Sequence, residues 1–181
     1  YTPGGTVTTA PSSNSSGVDG NLVFKGGFGP VNGGSLDMES NTLSIGGDFS
    51  PSVNSALYTT APQTTNFTAT GSGFIILTNN SGADVNFDDV NFNGSGGDWT
   101  LDDTFGATGN FTVTAGTLKL GGYSLTVDVA KQLTIANSAG AGIDLGTGAS
   151  ILNGSGTGAS RPIIKNASGV FTASSGTVEI S

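Results

Sequence analysis

The 181-residue sequence contains no cysteine and no histidine. Without cysteine the chain has no disulfide and no thiolate nucleophile, and without either residue it lacks the usual ligands of a zinc site. The missing histidine also removes the commonest general base of enzymes. These absences exclude most familiar catalytic arrangements. They do not place the protein in the cytosol, because a long ladder of backbone hydrogen bonds can hold a secreted chain without disulfides.

Charged residues are also scarce, at 10% of the chain, compared with roughly 25% in ordinary soluble domains. The formal net charge is −8, and the five cations are Lys25, Lys119, Lys131, Arg161 and Lys165. They form no basic patch in the sequence, which argues against nucleic acid as a partner. Abundant Gly, Ser, Thr and Asn beside so little Lys and Glu is typical of bacterial or archaeal surface material. We therefore expect an extracellular or cell-surface location.

Long apolar runs are missing as well. The longest markedly apolar run, FIIL at residues 74–77, is far shorter than the about 20 residues that span a bilayer as a helix. We therefore expect no membrane span. The chain starts at Tyr1 without Met or an apolar signal region, which predicts a processed protein or a fragment.

What the sequence does contain is alternation of apolar and polar residues. In NFTVTAGTLKLGGYSLTV, residues 110–127, three short runs place an apolar residue at every second position, and glycine-bearing breaks separate them. This period of two is that of a half-buried β-strand, because successive side chains point to opposite faces. Similar figures recur in residues 66–77 and 170–181. We expect an all-β protein with a single domain at 21–181, preceded by an extended arm at 1–20.

Turn signals every ten or so residues divide the domain into short strands. The predicted strands are 21–25, 35–38, 42–45, 66–70, 74–78, 84–92, 98–101, 110–114, 117–120, 124–129, 132–136, 149–152, 162–164, 169–173 and 176–180. Residues 52–65 are predicted to form a long loop. Imperfect repeats of this kind predict a β-solenoid, similar to a parallel β-helix, and the alternative is an antiparallel jelly-roll-like sandwich.

The phenylalanine-threonine starts, the GG turns and the strands of the form GT-V/L-x-I/L resemble the repeats of secreted bacterial β-solenoid surface proteins. These include autotransporter passengers and filamentous-haemagglutinin-like adhesins, and the similarity covers roughly residues 66–181. The resemblance implies a right-handed parallel β-helix that serves as an adhesin, stalk or matrix. Pro51 and Pro62, in the irregular first third of the chain, depart from the pattern.

The sharpest concentration of charge lies in ADVNFDDVNF (83–92) and GDWTLDDTF (97–105). Both segments place an Asp, then three residues, then a pair of Asp, and oxygen ligands near turns are what Ca²⁺ requires. The candidate metal ligands are Asp84, Asp88, Asp89, Asp98, Asp102 and Asp103. The alternative is that these side chains are solvated outward positions of two strands, since Val85 and Phe87 would face the opposite side. Calcium is the one cofactor that the sequence points to, and no cofactor is required.

Catalysis has few candidates. The pair Asp102 and Asp103 would have to act with Arg161, the only arginine, in a cleft of a polysaccharide-degrading enzyme. We therefore expect no enzymatic activity. An adhesin or carbohydrate-binding module is a stronger alternative, with Tyr58, Tyr123 or Trp99 stacking on sugar rings. Trp99 alternates with Leu101, which favours a core position for it.

The function that the sequence favours most is structural. We expect a non-catalytic extracellular protein whose copies assemble into a filament, sheath or matrix through β-strand contacts. The expected partners are therefore copies of the chain itself, with glycans as the alternative ligand. The predicted contact residues are Thr6, Val7, Thr8 and Thr9 in the arm and Thr177, Val178 and Ile180 in the last strand. An uncovered strand of this kind offers unpaired N–H and C=O groups to another chain.

Overall fold

The computed structural model describes residues 22–29, 35–38, 41–52, 56–58, 63–79, 84–128, 131–147, 150–153, 163–165, 167–172 and 175–180. Within these residues all regular structure is β-strand. The strands are β1 (Leu22–Phe24), β2 (Ser35–Asp37), β3 (Leu43–Ile45), β4 (Ala56–Tyr58), β5 (Thr64–Phe67), β6 (Phe74–Ile76), β7 (Asp84–Val85), β8 (Asp89–Leu101), β9 (Phe105–Ala107), β10 (Phe111–Lys119), β11 (Ser124–Val127), β12 (Leu133–Ile135), β13 (Gly142–Asp144), β14 (Ser150–Asn153), β15 (Ile163–Lys165), β16 (Val170–Thr172) and β17 (Thr177–Ile180).

Every pairing between the described strands is parallel, and each strand pairs with strands of the coil before it, the coil after it, or both. The largest sheet has ten strands. Seven of them follow the order β1-β3-β5-β8-β10-β12-β15, β6 and β13 branch from β8 and β10, and β16 pairs with β13. Leu22 is paired with Leu43, 21 positions later, and most later coils are of similar length. The fold is therefore a β-solenoid, which confirms the first prediction of fold class. The antiparallel sandwich is wrong, because its strands would have to reverse direction.

Each coil passes through three strand positions, which form three faces around the core. The first face contains β1, β3, β5, the first part of β8 and β10, β12 and β15. The second face contains β6, the last part of β8 and β10, β13 and β16. The third face is made of two smaller sheets, β2-β4-β7 and β17-β14-β11-β9.

The core lies inside the coils, where inward side chains of successive strands stack in columns. One column on the first face is formed by Phe24, Ile45, Phe67, Phe92, Val113 and Ile135. All of them except Phe24 are completely buried. The rings of Phe67 and Phe92 stack with centroids 4.5 Å apart, and such a pair contributes about 0.5–1.5 kcal/mol beyond the area that it buries. Alternation in the sequence thus becomes one continuous apolar core.

The turn from the first face to the second depends on glycine. In β10 the register shifts on both sides of Ala115, and Gly116 has a φ of 83°. A Cβ on Gly116 would also lie 2.6 Å from the carbonyl oxygens of Gly94 and Gly97. Because other residues rarely adopt this conformation, glycine allows one strand to bend around the core without ending.

The structure contains three strands that the sequence did not predict, and one of them lies in a predicted loop. β4 lies within the predicted loop 52–65, where Leu57 is completely buried and β4 pairs with β2 and β7. Also unpredicted were β9 and β13, each with three residues. Other strands of three residues were predicted, but ALY, FGA and GID each contain an alanine or a glycine, which weakens the apolar alternation. Pairing with neighbouring coils supplies their stability. The predicted arm at 1–20 lies outside the described residues.

Candidate functional site

Two adjacent aspartates link one turn of the chain to the coils on both sides of it. Asp88 is 6% exposed, and its Oδ2 accepts the backbone N–H of Gln63 in the preceding coil at 3.2 Å. Asp89 Oδ1 accepts the backbone N–H of Asn110 in the following coil at 2.6 Å. Hydrogen bonds to a carboxylate are stronger than neutral ones. The pair thus fastens three successive coils where the chain turns onto the first face.

The carboxylate of Asp103 accepts hydrogen bonds from two adjacent residues of the preceding coil. Its two oxygens accept the backbone N–H of Thr78 at 2.8 and 3.0 Å, and Oδ1 also accepts the Thr78 hydroxyl at 2.9 Å. The backbone N–H of Asn79 donates to Oδ2 as well. The neighbouring Asp102 is exposed to solvent. The two members of the DD pair therefore differ, since one fastens the preceding coil and the other faces solvent.

Asp98 forms an ion pair with Lys119 of the next coil. The distance between Lys119 Nζ and Asp98 Oδ2 is 2.6 Å, and the two side chains are 45% and 26% exposed. The pair lies on the outer surface of the second face, where water screens its charges. It is the one ion pair within the described part of the chain.

The aspartates predicted to bind calcium do not stand opposite one another. Asp89 is paired with Thr64 and Asp98 with Thr117, and the side chain of Asp84 lies outside the described residues. No group of three or more acidic residues in the described part of the chain is placed to hold a metal ion. Calcium binding stays a prediction. The repeated Asp spacing does not bring carboxylates into register between the described strands.

Other hydrogen bonds from side chains to the backbone of a neighbouring coil were not predicted from the sequence. Asn110 Oδ1 accepts the backbone N–H of Gln132 at 3.2 Å, and Asp48 Oδ1 accepts that of Ile75 at 2.8 Å. Asn110 stands immediately before β10 and faces solvent. An Asp or Asn directly before an alternating apolar run is thus the signal that predicts such a link.

The predicted assembly residues are described by the structure only in the last strand. Thr6 to Thr9 lie outside the described residues. Thr177, Val178 and Ile180 belong to β17, which pairs with β14 and ends the order of its sheet. Each strand of the last described coil is paired on one side only among the described strands: β15 with β12, β16 with β13 and β17 with β14. The opposite edges carry backbone groups that another strand can bind.

Apolar side chains accompany these edges. Val178 continues the inward column of Leu125 and is 40% exposed, while Leu125 is completely buried. Phe171 is half-buried opposite the buried Ile143. At the other end the half-buried rings of Phe24 and Phe28 stack with centroids 4.2 Å apart. Among the described residues, both end coils therefore combine a strand edge that has no partner strand with incompletely covered apolar residues.

The residues considered for sugar stacking and catalysis are described only in part. Trp99 is completely buried, as its alternation with Leu101 predicted, and its indole N–H has no hydrogen-bond partner in the described part of the chain. Tyr123 is 39% exposed. The side chains of Tyr58 and Arg161 lie outside the described residues.

Comparison with known proteins gives no relative. No protein-family model matches the chain, and neither a curated protein nor a solved structure resembles it significantly. The resemblance to secreted β-solenoid surface proteins therefore stays a prediction. Among the described residues there is no helix of the length and apolar character that crossing a membrane demands.

Proposed function

We propose that this chain is a non-catalytic, extracellular structural protein whose copies join end to end into a filament, sheath or matrix. The observation that carries the proposal is the last described coil, where three parallel strands are each paired on one side. A strand edge with free N–H and C=O groups is a template for another strand. A second copy that continues the ladder would satisfy these groups in the way that each internal coil does.

The apolar residues at the ends support the same contact. Val178 and Phe171 lie in inward columns that another coil would cover, as the neighbouring coils cover Leu125 and Leu118. Removing apolar surface from water stabilises a contact by about 25 cal/mol per Å². Backbone pairing and apolar burial thus favour the same stacking direction.

The geometry of such a contact leads to a filament. The arm and the first coil of one copy would meet the last coil of another, so two different surfaces are in contact. A contact of this heterologous kind propagates into a fibre unless its rotation closes a ring. Little charge opposes it, because the three strands of the last described coil, IIK, VFT and TVEI, contain two charged residues of opposite sign, Lys165 and Glu179.

The assembly is tested by placing a charge at the exposed end of an inward column. Val178→Lys should give single particles where the parent protein gives filaments, because a covering coil would have to bury the ammonium group. Ile75→Lys is the matched control, since Ile75 is 39% exposed on β6, away from both ends. Sedimentation velocity and negative-stain imaging distinguish the outcomes. Filaments of equal length from both variants would contradict assembly through this end.

A deletion tests whether the arm makes the contact. Removing residues 1–17 should leave a folded β-protein that no longer polymerises, because the run Thr6 to Thr9 is the segment we propose to pair with a neighbour. Circular dichroism checks the fold, and sedimentation velocity checks the assembly. Filaments of normal length from the truncated protein would exclude the arm as the connector and leave direct stacking of the end coils.

A further inference from the structure

Gly106 is a strand glycine for which the backbone gives no reason. It occupies the middle of β9, its φ is not in the left-handed region, and a Cβ added to it would meet nothing within 4 Å. The other glycines within β8 and β10 differ: Gly94 would clash with the carbonyl oxygen of Ala69 at 1.7 Å, and Gly116 has a positive φ. Glycine in a strand interior is destabilising relative to alanine. Neither steric crowding nor a positive φ requires glycine at position 106. A ligand could therefore occupy the open space beside it.

The space is a groove across the third face. Gly106 is paired with Thr126 of β11, and Ala107 is bridged to Phe87 of the preceding coil. Asn86 and Thr126 therefore stand on the two sides of Gly106, about 9–10 Å apart, which is two strand spacings. The groove has a volume of about 320 Å³, at the lower end of the range for ligand sites.

The walls of the groove are polar. The walls present an amide, two hydroxyls and one carboxylate, from Asn86, Thr108, Thr126 and Asp128. All four side chains are exposed. The Thr108 hydroxyl donates to the carbonyl oxygen of Phe87 at 3.1 Å, so it meets a ligand as an acceptor. The side chains of Phe87 and Ala107 belong to the core and are 1% and 4% exposed, so mainly their backbone borders the groove beside Gly106 and the half-buried Val85.

We propose that this groove binds a neutral carbohydrate, one sugar ring wide. The carboxylate of Asp128 and the hydroxyl oxygens accept hydrogen bonds from sugar hydroxyls, and the Asn86 amide both donates and accepts. None of the described lining residues is a cation, so the site does not favour phosphate or another anion. The groove lies on the side of the solenoid, and its occupation is independent of assembly through the ends.

The proposal is tested by filling the groove. Gly106→Thr adds a β-branched side chain in open space, so the fold should be kept and binding lost. Gly26→Thr is the matched control, because Gly26 is exposed, has no atom within 4 Å of an added Cβ and lies far from the groove in the bend after β1. Thr126→Val removes one hydroxyl while keeping the shape and strand propensity of the side chain.

The probes are four labelled neutral tetrasaccharides, maltotetraose, cellotetraose, mannotetraose and chitotetraose, in equilibrium dialysis against the full chain. Dialysis works for single particles and for filaments, so its outcome is separate from that of the assembly tests. We expect saturable binding of at least one sugar, weakened about tenfold or more by Gly106→Thr, which corresponds to about 1.4 kcal/mol. Thr126→Val should weaken binding several-fold, and Gly26→Thr should leave it unchanged. No binding of any of the four sugars, or equal binding by Gly106→Thr, would overturn the proposal.

Discussion

The central coils and the last described coil share the same columns of inward side chains, but the side chains are buried to different extents. On the second face, Trp99, Leu118, Ile143 and Phe171 follow one another in register. The first three are completely or almost completely buried, while Phe171 is half-buried. An inward position is therefore not sufficient for burial in a solenoid, because each coil is covered by its neighbours and an end coil has one neighbour instead of two.

The strands of the two regions differ in length as well. β8 has 13 residues and β10 has nine, because both continue through the corner between the first and second faces. β15 and β16 have three each. The central coils owe their continuity to glycine corners and to carboxylate links such as those of Asp89 and Asp103. Among the described residues, the links between coils are thus concentrated in the central coils.

The largest expected effect is the removal of a central ring. Phe92→Ala should destabilise the protein by about 3–5 kcal/mol, because it leaves a cavity in a column with both neighbours in place. Phe171→Ala, the matched change at the end, should cost about 1 kcal/mol, since the ring is already half-exposed. Urea unfolding measures both values. Equal losses would contradict the contrast between centre and end.

Two strand glycines, Gly94 in the bend of β8 and Gly106 in the middle of β9, give the second contrast. Gly94→Ala should cost about 1–3 kcal/mol, because its Cβ would lie 1.7 Å from the carbonyl oxygen of Ala69 and the two coils would have to separate. Gly106→Ala should be neutral or stabilising by up to about 1 kcal/mol, since its Cβ meets no atom and the unfolded chain loses freedom. Thermal unfolding of the two variants compares them. A destabilised Gly106→Ala would mean that this glycine is required by the backbone.

The two members of the second DD pair provide a smaller contrast. Asp103→Asn should cost about 1–3 kcal/mol, because the amide offers one acceptor oxygen and turns its N–H groups toward the donors of Thr78 and Asn79. Asp102→Asn should change the free energy of unfolding little, because Asp102 is exposed. If both variants unfold at the same urea concentration, the carboxylate of Asp103 is not a link between coils.

The smallest expected effect is that of the ion pair. Lys119→Met should lower the free energy of unfolding by less than about 1 kcal/mol, because both partners are partly exposed and screened. The loss should shrink further at high salt. Lys131→Met is the control, since Lys131 is exposed and forms no ion pair within the described residues. A salt-independent loss at Lys119 would point to packing of its side chain rather than to its charge.

Much of the fold was predictable because alternation is a local signal. Runs such as FTV at 111–113 and SLTV at 124–127 were predicted as strands from their own residues. β4 was not, because three residues without flanking alternation become a strand only when a ladder already exists on both sides. The roles of Asp88, Asp89 and Asp103 were not predictable either. Each bonds to a residue 21 to 25 positions away, and that distance is set by coil length.

The central claim, stacking of copies through their end coils, is tested most directly by X-ray fibre diffraction from oriented filaments of the purified chain. If each copy continues the ladder of the one below, the strands lie across the filament. A reflection at about 4.7–4.9 Å then appears along the filament axis. Filaments in which this spacing lies perpendicular to the axis, or preparations that contain only single particles, would contradict the account.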